Sequence, residues 1–234
     1  MKAKTEEKHP FFDMNSTNLE ENYKKILQTI PKNVQLVVVS KTHPSEKIKQ
    51  IYELGQRCFG ENKVQELIEK QSKLPHEIQW HLIGHLQTNK VKYIAEFVNT
   101  IQSVDSQKLL EEINKQAEKH NRIINILLQV KIAEEDTKFG LDASEAKEIF
   151  AKLLQNKFPF VKIKGLMGLA TYTDDEAQIR REFTFLKNIF DEFNNLKKLE
   201  TLSMGMSGDY QLAINCGANS VRIGSAIFGE RFYL

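Results

Sequence analysis

"VQLVVVSKTHPSEKIKQIYELG" spans residues 34–55, and its two halves carry different periods. The first half, "VQLVVVS", is a continuous β-branched run, too short for a good helix and typical of a strand buried on both faces. The second half puts Ile48, Ile51, Tyr52 and Leu54 on one helical face, with Pro44 suited to the first turn and Gly55 as the stop. The junction "SKTHPSE" contains no glycine. A doubly wound open sheet usually carries a GxGxxG or P-loop at that point, so the stretch favours a closed barrel.

The same alternation continues outward from it. Strand-like runs recur at "RCFGEN" (57–62), "IQWHLIG" (78–84), "TIQSV" (100–104), "IINILLQVKI" (123–132), "VKIKGLMGLA" (161–170), "LETLSMG" (199–205) and "SVRIG" (220–224). Helical stretches separate them, including one around "NKVKYIAEF" and one opened by Asp142 and Glu145 at capping-box spacing. Ile179, Phe183, Leu186, Phe190 and Phe193 form one apolar stripe, which reads as core. Eight β elements alternating with helices predict an α/β fold, a single-domain (β/α)8 TIM barrel with an extra N-terminal helix at "NLEENYKKILQTI". The expected division is a disordered segment over residues 1–14 and the barrel over 15–234.

Composition narrows the function. The 33 Lys plus Arg nearly cancel the 31 Asp plus Glu in 234 residues, unlike a general nucleic-acid binder. No apolar run is long enough to span a bilayer, and the charged N-terminus has no signal-peptide core. Cys58 and Cys216 lack metal-ligand spacing and read as reduced thiols of a cytoplasmic protein.

In a barrel the chemistry sits at the C-terminal strand ends. Lys41 ends the first strand and shares parity with Val37 and Val39, so it faces the interior if they do. Partial desolvation there would favour its neutral, nucleophilic form. Lys162 and Lys164 on the sixth strand are rivals, as lysines of a Schiff-base aldolase. Barrels often bind phosphate between the loops after strands seven and eight. Ser203 and Ser207 offer hydroxyls there, and Gly224 and Ser225 offer backbone N–H groups at a helix start. Arg222 either pairs with a carboxylate such as Glu61 or donates to an unprotonated ring nitrogen, because arginine keeps its proton.

Seven stretches, "VVVSKTHP", "FGENKVQE", "WHLIGHLQTNK", "KFG", "GLMGLA", "LSMGMSGDYQLAI" and "VRIGSAIFG", resemble in order those of the pyridoxal phosphate homeostasis family (YggS/PROSC). That family is related to the N-terminal barrel of alanine racemase. The resemblance implies that Lys41 carries pyridoxal 5′-phosphate as an internal aldimine and that Arg222 faces the pyridine nitrogen. It implies that Ser207, Gly224 and Ser225 bind the phosphate, and that Asn62, Ser203 and Met204 line the cofactor. His43, Lys63, His85 and the Gly208-Asp209 pair depart from the usual family pattern, at the rim of the site.

An arginine at the ring nitrogen would weaken the cofactor as an electron sink. A racemase would also need a second base, and the chain is expected to lack the domain that supplies a tyrosine in alanine racemase. Tyr172 and Tyr210 read as packing residues. The expectation is a non-catalytic carrier that buffers or delivers the cofactor to apo-enzymes as a monomer, with no nucleic acid, membrane or metal. The alternatives are a weak racemase-like enzyme and the aldolase. His81 and His85 read as satisfied polar residues.

Overall fold

A computed structural model of the chain describes residues 14–135 and 139–229. The expectation of disorder over 1–14 lies outside the described residues, save Met14, which opens the first helix. Helix α1 (Met14–Thr29) precedes β1 (Gln35–Val39), and α2 (Ser45–Glu53) follows it. Then come β2 (Cys58–Glu61), α3 (Val64–Gln71), β3 (Gln79–Leu82) and a 3-10 helix (Thr88–Tyr93). After these follow β4 (Thr100–Val104), α4 (Gln107–Lys119), β5 (Ile124–Gln129), α5 (Ala143–Leu154) and β6 (Val161–Met167). Helix α6 (Glu176–Leu196), β7 (Thr201–Ser203), α7 (Tyr210–Asn215), β8 (Ser220–Ile223) and α8 (Ser225–Phe228) complete the order. The eight strands pair in sequence order, all in parallel, and β8 returns to β1 to close the barrel.

The predicted barrel is therefore observed, and strand parity explains its layers. Leu36 and Val38 join the outer apolar core beneath α2, where Ile48 and Ile51 are fully buried. Val37 and Val39 point the other way, into the barrel. The phenylalanine stripe of α6 is buried as expected, and Phe193 stacks on Phe150 of α5 at 4.1 Å. Each such ring stabilises the fold by roughly 1.5–3 kcal/mol through burial. The capping box forms as read, with Asp142 accepting from the Glu145 N–H.

One element differs. The segment predicted as a helix around 89–97 is a 3-10 helix followed by turns. The chain spends five residues on the loop 83–87 and must still reach Asn99, whose N–H bonds to the Trp80 carbonyl. The 3-10 form rises about 2.0 Å per residue, against about 1.5 Å for an α-helix, and covers that return in fewer residues.

Candidate functional site

The seam where β1 meets β8 gathers most of the expected residues. Val37 lies opposite Arg222 and Val38 opposite Ile223. Beyond the pairing, Gly224 lies so close to β1 that an added Cβ would stand 3.0 Å from the Val39 carbonyl oxygen and 3.2 Å from the Val39 Cβ. The bare glycine thus serves first to draw the end of β8 against the end of β1. Lys41 follows two residues after Val39, in the turn that leaves the strand. Because β1 stops at Val39, strand parity does not set the direction of Lys41; the turn does.

The loops after β7 and β8 meet where the sequence placed a candidate anion cradle. The Ser207 Oγ accepts from the backbone N–H of Gly224 and of Ala226, each at 3.3 Å. Two convergent amides around one oxygen are the geometry a phosphate oxygen needs. Ser225 is exposed and Ser207 half-buried, so both are open to a ligand at the mouth. The helix behind them, α8, is four residues long. Its macrodipole is accordingly small, and individual N–H groups supply the attraction. His43, beside Lys41, stacks on Phe228 of α8 at 4.2 Å and ties the lysine turn to the cradle.

Arg222 lies in the interior below them, almost fully buried. It does not pair with Glu61, as one sequence reading allowed. Its guanidinium donates to the Ser203 Oγ at 2.5 Å and to the Gly168 carbonyl at 2.9 Å. Burial pulls its pKa down to about 10, partly opposed by Asp209, so it stays cationic at neutral pH. Only two of its five N–H donors are used by these bonds, and the rest suit a ligand atom with a lone pair.

The arginine also orders everything beneath it. Since it only donates, Ser203 must accept and pass its own proton to the Gln102 Oε1 at 2.7 Å. The Gln102 amide nitrogen then donates to His81 Nδ1 at 2.8 Å. His81 is thereby fixed as the Nε2–H tautomer, which meets the Cys58 Sγ at 3.3 Å. Burial pulls the His81 pKa down to about 4, in keeping with a neutral ring, and pushes the Cys58 thiol up. The result is a one-way donor chain across the barrel from β8 to β2. Sequence reading missed Gln102 and took His81 only as a satisfied residue; the inward parity of "TIQSV" was the available signal.

Other expectations resolve as follows. Asn62 lines an open cavity of about 510 Å³ together with Lys63, His85, Gln87 and Lys90. His85 bonds to Asp105 at 2.8 Å and stacks on Phe139. Met204 is fully buried in the apolar core, so its side chain is spent on packing. Lys162 and Lys164 both pair with Glu200, at 3.6 and 2.5 Å, ahead of β7 and away from the mouth. The aldolase reading loses its lysines there. Tyr210 packs as expected, its hydroxyl 2.8 Å from the Thr29 Oγ1, whereas Tyr172 is 94% exposed and does not pack. No cluster of metal-binding groups occurs among the described residues, nor any helix long and apolar enough to cross a membrane. Of the "KFG" motif, Lys138 lies outside the described residues.

This geometry has close counterparts. Residues 14–232 match the family model of the alanine racemase N-terminal domain. The chain is 39% identical to the pyridoxal phosphate homeostasis protein of Pasteurella multocida, over 92% of this chain and 98% of that one. It superposes on PipY of Synechococcus elongatus in a structure with pyridoxal phosphate bound, with a TM-score of 0.80, 35% identity, and 90% and 100% of the two chains covered. An alanine racemase of Clostridium difficile shares the fold, with a TM-score of 0.74 at 16% identity, over 93% of this chain and 58% of that one.

Proposed function

Because the chain belongs to the pyridoxal phosphate homeostasis protein family, on the alanine racemase N-terminal fold, we propose that it binds pyridoxal 5′-phosphate at the β1–β8 seam and holds it for intracellular buffering or delivery. The observation that carries this reading is the meeting, on two adjacent strands, of a lysine turn, a donor-only arginine and a two-amide cradle. The donor set fits the cofactor's three demands: an amine, an anion site and a partner for a ring nitrogen.

Bound there, pyridoxal phosphate supplies an aldehyde reactive toward amines and an electron-withdrawing ring. Lys41 is the amine that would take the aldehyde. Ser207, Gly224 and Ser225 would hold the phosphate, while Asn62 and Ser203 would line the remainder. Arg222 would donate to the ring nitrogen and keep it unprotonated, which weakens the electron sink that catalysis needs. We therefore read the protein as a non-catalytic carrier that serves apo-enzymes and is sufficient as a monomer. The Cys58 thiol, committed to His81 inside the barrel, suits a reducing cytoplasm.

The test is to add pyridoxal phosphate, record the visible spectrum, reduce with borohydride and map the modified peptide. A pyridoxyl group on Lys41, lost in Lys41→Ala, is the expected result. A colourless protein with no label on Lys41 would sink the reading. Steady exchange of an amino acid's α-hydrogen in deuterium oxide, dependent on Lys41, would instead favour a racemase-like enzyme.

A further inference from the structure

Lys41 occupies a tight turn of unusual make-up. The His43 N–H bonds to the Ser40 carbonyl at 3.1 Å, so residues 40–43 form one hydrogen-bonded turn with Lys41 second and Thr42 third. Thr42 has φ +68, and Lys41 is not among the residues of positive φ. A positive φ confined to the third position defines a type II turn, which favours glycine or asparagine there. Among the described residues, the other non-glycine positions of positive φ are Asn121 and Asn156. A β-branched threonine in that conformation is strained and persists only if its surroundings hold it.

One buried ammonium does the holding. Lys70 of α3, its side chain 8% exposed, donates to the Ser40 carbonyl at 2.8 Å, to Glu61 Oε1 at 2.8 Å and to Glu66 Oε2 at 3.3 Å. All three ammonium protons are thereby committed. Glu61 also accepts from the Ser40 hydroxyl at 2.6 Å, and Glu66 Oε2 accepts the Thr42 N–H at 2.7 Å. The peptide is thus gripped on both sides of Lys41 by one charge cluster. Glu61 is fully buried, and its second oxygen has no hydrogen-bond partner among the described residues. Burial pushes the Glu61 carboxyl up, partly offset by Lys70 and Ser40. Burial would also raise Glu66, but the Thr42 N–H and Lys70 hold it below its ordinary value.

We infer that Lys70, with Glu61 and Glu66, is a positioning clamp that forces the strained turn and so aims the Lys41 amine into the barrel mouth. Its cofactor consequence rests on the reading of Lys41 given above. A buried ion pair is weak evidence for added stability, because desolvation offsets attraction. Its value here lies in fixing one backbone conformation.

The experiment compares wild type, Lys70→Met, Thr42→Gly and the double variant, with two readouts. The first is hydrogen exchange at the His43 amide in cofactor-free protein. The second is the rate at which pyridoxal phosphate and borohydride label Lys41. Lys70→Met should speed the exchange and slow the labelling at least about tenfold, since misaimed reacting groups lose rate steeply. Adding Thr42→Gly should restore much of the labelling, because glycine adopts the turn unaided. A merely structural lysine would show no such specific rescue. Unchanged exchange and labelling in Lys70→Met would overturn the inference, and so would a labelling defect that Thr42→Gly leaves in place. Should Lys70→Met not fold, Glu66→Gln supplies the test: faster exchange at Thr42 supports the clamp, and no change refutes it. If wild-type Lys41 takes no label, the cofactor reading fails, while the exchange data still decide the clamp.

Discussion

The two strands that meet at the barrel seam build their parts of the site by opposite means. On the β1 side, a cluster of formal charges behind the strand end grips a strained turn: Lys70 and Glu66 bond its backbone, and Glu61 holds Lys70 and the Ser40 hydroxyl. On the β8 side, two backbone amides converge on the Ser207 hydroxyl. The difference follows from the tasks. An amine on a flexible stem must be aimed, and aiming needs a rigid backbone. An anion needs donors whose strength does not depend on pH, and backbone amides supply them. Between the two sides runs the one-way chain from Arg222 to Cys58, which keeps the floor of the site neutral except at the arginine.

That floor offers the largest way to strain the comparison. His81 titrates at about 4 in the fold, against 6.5 ordinarily. The unfolded chain therefore binds the extra proton first as pH falls, and stability drops between pH 6.5 and about 4, then levels off. The expected loss is roughly 3 kcal/mol across that window. Denaturant unfolding against pH should show this slope in wild type and a flatter one in His81→Gln. Equal slopes would mean that burial does not hold the ring neutral.

A smaller effect should come from joining the two sides too loosely. In Gly224→Ala the new methyl meets the Val39 carbonyl, so β8 must shift from β1. We expect a loss of about 1–3 kcal/mol in stability, together with weaker cofactor binding, because lysine turn and cradle part company. Unaltered binding by fluorescence titration would show that the close approach does not register the site. The smallest effect belongs to Ser207→Ala. Removing one hydroxyl while both amides remain should cost about 1 kcal/mol of cofactor affinity, roughly fivefold, with little change in thermal stability. A loss of several hundredfold would place the phosphate on the serine rather than on the amides.

Much of this was legible in the residues. Alternating periods predicted the barrel, because burial imposes a two-residue repeat on strands and a 3.6-residue repeat on helices wherever they occur. The strand-end rule singled out Lys41, Ser207, Gly224 and Arg222, and the tertiary structure brings them to one seam. Met204 shows the limit of proximity in sequence: its neighbours Ser203 and Ser207 bond to Arg222 and to the Gly224 amide, but its own side chain turns into the core. Lys162 and Lys164 show another, since their distance from the mouth was settled by Glu200, a partner from a different strand approach.

What the sequence determined alone is thus the order of elements and the chemistry available at their ends, because both depend on local pattern. Three things only the folded chain decided. Gly224 is bare because Val39 stands against it. His81 has one tautomer because an arginine three strands away in the donor chain can only give protons. The turn that carries Lys41 is held at the Ser40 carbonyl by a lysine on α3, beyond the end of its own strand. Each depends on which groups meet after closure of the barrel, and low dielectric in its interior makes those meetings decisive.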